Sequence, residues 1–169
     1  MDRSVELTRA TADDRDPITR LMQFYIYDFT ELMAPEKAPQ ISERGDFGAY
    51  PGLDAYWREP THSAWSIRVG GKRAGFALLN KNGHLGRSVD HNMAEFFIAR
   101  PFRRRGAARD AFHQLLRLHP GQWELAISAY NKPAQVFWPR AIEAAGAADV
   151  ETVEGDGVTW TGPVLRFRA

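Results

Sequence analysis

The chain contains no cysteine in its 169 residues. That absence removes thiol nucleophiles, disulfides and thiolate metal sites together, so any acyl chemistry must run without a cysteine intermediate. Nor does any stretch approach the roughly 20 consecutive apolar residues needed to cross a bilayer. The opening MDRSVELTRATADDRD is charged and lacks an apolar centre. A soluble, cytoplasmic protein with no membrane partner is expected. An excess of one charge is missing too: 22 Lys and Arg face 21 Asp and Glu. No molecule-wide basic field of the kind used for general nucleic-acid binding follows from that balance, and no nucleic acid is expected as a partner. His84, His91, His113 and His119 lack a paired ligand spacing, read as surface or packing residues, and predict no metal. There is no internal repeat. What remains is a hydrophobic content of 44%, enough for one domain with a real core. Residues 1–169 read as a single domain, monomeric or homodimeric.

The order of elements is mixed α/β. Residues 5–9 alternate like a short strand, and Ile18, Leu21, Met22, Tyr25, Ile26 and Phe29 recur at helical spacing. Between residues 30 and 60 periodicity fades, yet Phe47, Tyr50, Tyr56 and Trp57 are out of place in a flexible linker; an ordered loop or short helix is expected. Two β-rich runs around Gly70 and Gly71 predict an antiparallel hairpin. Residues 93–99, MAEFFIA, are apolar except for Glu95 and predict a buried central strand. A helix over about residues 106–118 follows, with Ala108, Ala111, Phe112, Leu115 and Leu116 as its stripe. Residues 123–130 read as a strand. NKPAQVFWPRAIEAAG reads as a helix capped by Asn131, with Pro139 either bending it or delaying its regular part. Two late strands flank EGDG.

The densest feature is RPFRRRGAARDAF, with four arginines among residues 100–105, then Gly106. These residues fall between a buried strand and the first turn of a helix. Unpaired N–H groups and the helix dipole make such a position suited to phosphate. Gly106 permits close approach, Ala107 and Ala108 keep side chains away, and Arg104, Arg105 and Arg109 add charge. The plainer reading is a solvated cap over a helix that needs small residues for packing; a further one is an RNA-binding surface.

Arg103-Arg104-Arg105-Gly106-Ala107-Ala108 resembles the coenzyme A loop, Arg/Gln-x-x-Gly-x-Gly/Ala, of the GCN5-related N-acetyltransferases. Asn131, Ala134 and Phe137 resemble that family's Asn-x-x-Ala-x-x-Phe/Tyr signature. The resemblance spans residues 93–146 and, in the N-terminal half, only the order of elements; it reaches a subgroup of unassigned substrate. It implies a central mixed, mostly antiparallel sheet flanked by helices, with two central strands splayed apart. It also implies direct transfer of an acetyl group from acetyl-CoA to an amine. The pantetheine arm would lie along the main-chain edge of Phe97, Ile98 and Ala99, with Arg103 to Arg109, Asn131, Phe137 and Trp138 also on the cofactor side.

An attacking amine must be uncharged, so a base is needed, and Glu95 is the one ionisable group in the apolar strand. Glu95 as a structural group held by amides or an arginine is the equal alternative. Many relatives protonate the leaving thiolate with a tyrosine where this chain has Phe137 and Trp138, neither of which is an acid. Tyr130 is the nearest phenol, with water as the alternative. For the acceptor, Asp28 and Glu31 lie one helical turn apart, and Asp46, Asp54 and Tyr56 follow in the aromatic-rich segment. They suggest a small or peptide-borne primary amine held as a cation, with Tyr27, Tyr50 and Trp57 offering cation–π contacts. The alternative is a noncatalytic acyl-CoA-binding or sensory module on the same fold.

Overall fold

Among residues 3–169, which the computed structural model describes, one sheet organises the chain. Its strands are β1 (Val5–Arg9), β2 (Ser63–Val69), β3 (Lys72–Asn82), β4 (Ser88–Ile98), β5 (Gln122–Ala126), β6 (Ala148–Glu154) and β7 (Pro163–Arg168). They lie in the order β1-β2-β3-β4-β5-β7-β6. Neighbours are antiparallel except β4 and β5. A parallel pair needs a long crossover, which here is α3 (Ala107–Leu118).

Two apolar layers cover the sheet. On one face α3 and α4 (Lys132–Ala144) bury Phe112, Leu115, Trp138 and Ile142 against Ile67, Met93, Trp123 and Phe167. On the other, α1 (Arg15–Leu32) buries Ile18 and Met22 against Phe76, Leu78 and Phe97. The short α2 (Ala55–Arg58) and Tyr50 pack on that second layer, so the aromatic segment is ordered as expected.

Most predicted elements form, with shifted ends. β4 begins at Ser88 rather than residue 93, because pairing with β3 continues through polar Asn92 and Ser88. β5 ends at Ala126, short of the predicted residue 130, where a turn closed by Asn131 N–H on the Ser128 carbonyl (3.0 Å) ends the extended chain. Gly70 and Gly71 form the expected tight turn with φ of 54° and 73°. Pro139 lies inside a continuous α4, and Asn131 caps that helix by accepting from the Ala134 N–H.

Two histidines lie together at the far end of α3. The His91 and His119 rings are 5.1 Å apart and both touch Trp123. Burial holds the His91 pKa below the ordinary 6.5, against the Pro120 carbonyl and Asp90. His119 is also lowered, by burial, then by His91 and Arg9. Below pH 6.5 the unfolded chain therefore binds more protons than the folded one, and stability falls with pH. Thermal unfolding between pH 7 and pH 5 should show a falling Tm, with a shallower fall in the His91→Gln/His119→Gln double variant.

Candidate active site

The parallel pairing of β4 and β5 lasts three residue pairs: His91 with Trp123, Asn92 with Glu124 and Met93 with Leu125. Beyond Met93 the strands part. At the same point β4 bulges: Met93 lies opposite Leu79 and Glu95 opposite Leu78, leaving Ala94 as the extra residue. The gap is part of a continuous cleft of about 1480 Å³, lined by β4, the arginine loop, the start of α4, α1 and the segment after it.

The main-chain edge facing this gap differs from the predicted one. Ala99 gives its N–H to the Ala74 carbonyl of the β3 side (2.8 Å). The Phe97 carbonyl also points toward β3, where a Cβ on Gly75 would meet it at 1.9 Å. Main-chain groups alternate in direction along a strand, so Phe96 and Ile98 face the cleft. The Ile98 carbonyl already accepts from Arg103 Nε at 2.5 Å. Phe96, not singled out in the sequence, supplies the free edge.

Gly106 precedes α3 with φ of 87°, and Arg104 has φ of 62°. Two left-handed residues within three positions turn the chain sharply into the helix, whose first N–H groups have no intrahelical acceptor. Arg104 and Arg105 are exposed and form no ion pair among the described residues. Arg109 pairs with Asp110 (2.9 Å). Arg103 turns inward, donating to Asp28 as well as to Ile98 and lying over the Phe97 ring at 5.4 Å. The arginine cluster thus divides into exposed groups and an internal brace.

That brace uses the acidic residues expected at the acceptor. Asp28 takes Arg103 and Arg100 Nε (2.9 Å), and Glu31 takes Arg100 Nη2 (2.6 Å). Their charge is already balanced by two guanidinium groups. Asp54 pairs with Arg15 at 2.5 Å, and Asp46 accepts from Ser42 and Gly48 within its own loop. Trp57 donates its indole N–H to the Thr11 carbonyl (3.0 Å), and Tyr27 lies outside beside Phe47; neither lines the cleft.

Glu95 does line it, on the α1 side. Tyr25 from α1 donates to Oε2 and Tyr50 to Oε1. Burial pushes the Glu95 pKa up, while the two phenols and His84 pull against that rise. The same proximity raises both phenols above the ordinary tyrosine value, burial first and then the Glu95 charge, so both remain protonated donors.

A second polar network lies beside it on the sheet. The Asn82 N–H donates to Asn80 Oδ1 (2.9 Å), which fixes that amide: Asn80 Nδ2 donates to the Tyr56 hydroxyl and Asn92 Nδ2 donates back to Asn80 Oδ1, each at 3.0 Å. Tyr56, pushed up to about 12 mainly by burial, stays neutral. Opposite Asn92, fully buried Glu124 accepts from Arg166 Nε (2.8 Å) and lies 3.1 Å from His84 Nδ1. Burial raises its pKa, but His84 and Arg166 outweigh that and hold it low. His84, expected as a surface or packing residue, packs edge-on to Trp160 and also lines the cleft. Among the remaining predicted residues, Tyr130, Asn131 and Phe137 line the cleft, and Tyr130 is 38% exposed. Trp138 also reaches the cleft but is largely core, edge-on to Phe96 (5.2 Å) and Phe112 (5.1 Å).

Known structures share this fold. An acetyltransferase from Thermus thermophilus superposes with a TM-score of 0.68 at 13% identity, over 100% of this chain and 99% of that one. The PaiA N-acetyltransferase of Thermoplasma acidophilum, solved in complex with coenzyme A, gives 0.61 at 8% identity, over 98% and 99%. Diaminobutyrate acetyltransferase from Paenibacillus lautus, in complex with L-2,4-diaminobutyric acid and coenzyme A, gives 0.62 at 16% identity, over 98% and 95%. At such identities the likeness is one of fold. No curated protein matches the sequence significantly. Residues 23–141, running from α1 through the split strands and the arginine loop into α4, match the acetyltransferase (GNAT) family, and the chain belongs to that family.

Proposed function

We propose that this acetyltransferase passes the acetyl group of acetyl-CoA directly to a primary amine, with Glu95 as general base. Acetyl transfer is the family's reaction and acetyl-CoA its donor. The observation that carries the finer reading is the position of Glu95: an ionisable group at the bulge where β4 and β5 separate, on the wall of the cleft. An ammonium ion has no lone pair, so a carboxylate there is suited to take its proton directly or through water. The residues present suit the donor. Arg104 and the N–H groups at the start of α3 would face its phosphates, and the Phe96 edge would face its pantetheine arm, while Arg105 is exposed and does not line the cleft. Bound there, the donor supplies an activated acyl group and a thiolate leaving group.

Tyr130 is the proposed proton source for that thiolate, being the phenol on the β5–α4 connection that lines the cleft. On the acceptor side, Tyr56, Asn80 and Asn92 offer neutral polar contacts, while Asp28 and Glu31 are balanced by arginines. We therefore assign acceptor contacts to the neutral row. With no cysteine in the chain, transfer in a ternary complex is the expected route. Initial rates of acetyl-CoA consumption, measured over amines, amino acids, polyamines and peptides, should give intersecting double-reciprocal lines. Parallel lines with an isolable acetyl-enzyme would overturn direct transfer.

A further inference from the structure

We propose that Tyr25 and Tyr50 are positioning residues for Glu95: two phenol O–H donors, from α1 and from the segment after it, that hold the carboxylate ionised and in one orientation. The inference rests on the reading of Glu95 as base and deepens it. Each carboxylate oxygen takes one phenol, Oε2 from Tyr25 and Oε1 from Tyr50. An ionised carboxylate is an acceptor at both oxygens and satisfies both donors at once. In a protonated one the hydroxyl oxygen is a weaker acceptor and its own proton competes with one phenol donor, so one of the two bonds is weakened. The arrangement therefore selects the form able to take a proton from an amine.

The two donors are delivered by different means. The Tyr25 ring is wedged edge-on against Phe29, Phe76 and Phe97, with centroids 5.2, 6.2 and 6.0 Å away. Its direction is set by the core. Tyr50 comes from the irregular segment between α1 and α2, which is anchored elsewhere. Gln23 accepts from the Phe47 N–H (2.8 Å) and donates to the Gly48 carbonyl (3.0 Å), and Arg15 holds Asp54. The titratable groups acting at Glu95 are Tyr25, Tyr50, Tyr56 on α2 and His84 on the β3–β4 connection. Of these, Tyr25 and Tyr50 bond to it directly. Docking of the segment and ionisation of the base consequently favour each other.

The test is a carboxyl ¹³C NMR titration of the 169-residue chain labelled at glutamate, with the Glu95 signal assigned by its loss in Glu95→Gln. In Tyr50→Phe, which keeps the ring and removes only the hydroxyl, the Glu95 midpoint should rise by about one to two pH units. Tyr25→Phe should move it in the same direction, and Tyr56→Phe, which has no bond to Glu95, should move it least. Unchanged midpoints in both Tyr25→Phe and Tyr50→Phe would overturn the proposal, as would an equal shift in Tyr56→Phe. Turnover separates this from the reading beneath it. If the midpoints move as expected but Glu95→Gln turns over normally, the clamp stands and Glu95 is not the base. If Glu95→Gln loses turnover and the midpoints stay fixed, the base stands and the clamp fails.

Discussion

Replacing Glu95 by glutamine is expected to lower kcat by roughly 10²- to 10⁴-fold while leaving the Kd for acetyl-CoA unchanged. The substitution is close to isosteric, and the amide oxygen it introduces would still accept a bond from one of the two phenols. What it removes is the capacity to take a proton. The side chain lies on the α1 side of β4, with Tyr25 and Tyr50, whereas the arginine loop and the Phe96 edge are built from other residues. Binding of the donor should therefore survive. In the wild type, kcat/KM should rise with pH through the Glu95 pKa. Burial places that acid limb above the ordinary glutamate value of 4.5, and the glutamine variant should lack it. Calorimetry for the donor and a pH–rate profile for turnover separate the two effects. A wild-type rate with a wild-type pH profile would leave Glu95 a purely structural group.

The second large effect is expected at Gly106. A Cβ there would meet Arg109 Nη2 and Asp110 Oδ2 at 3.5 Å, an ordinary contact, so space alone does not demand glycine. Conformation does: φ is 87°, and a β-branched residue is strained in that region. A valine relieves the strain by leaving the left-handed conformation, which re-aims the N–H groups that open α3. Binding acetyl-CoA must then restore the turn at a cost of about 1–3 kcal/mol, equivalent to about 5- to 150-fold in Kd. Calorimetry on folded Gly106→Val should show that loss, whereas an unaltered affinity in a folded variant would remove the loop from the donor site.

Much of the architecture is legible along the chain because it depends on local periodicity. The stripe of Ala111, Phe112, Leu115 and Leu116 has to be one face of a helix, and all four are buried on α3. Ala108, the first of the stripe, also packs against that core but is only partly buried, because its other side lines the cleft. The arginine–glycine turn is equally local, since a loop that opens a helix needs only its own residues. Glu95 stands out as the single charge in an apolar run. Its environment does not: Tyr25 reads as part of a helical stripe and Tyr50 as a cation–π candidate, and nothing local links either to Glu95, 70 and 45 residues away in the chain.

The arginines and acids mark the limit most clearly. As sequence, Asp28 and Glu31 form an acidic pair at a helix end, and Arg100 and Arg103 belong to a phosphate-binding cluster. Folding sets α1 beside the β4–α3 connection, and opposite charges 69 to 75 residues apart pair with one another. Long-range Coulomb partners leave no trace in local spacing. The edge at Phe96 is hidden for a different reason: which residues of a strand face a gap depends on its bulge and on where its neighbour leaves, and both are properties of pairing. By itself the sequence determined the helices, most strands, the turn that opens α3 and the charge inside β4, all of which follow from the identity of residues within a few positions. Only the tertiary structure decided which arginines stay exposed, which acids are neutralised, and which two phenols meet Glu95. Those outcomes depend on groups distant in the chain being brought within hydrogen-bonding reach.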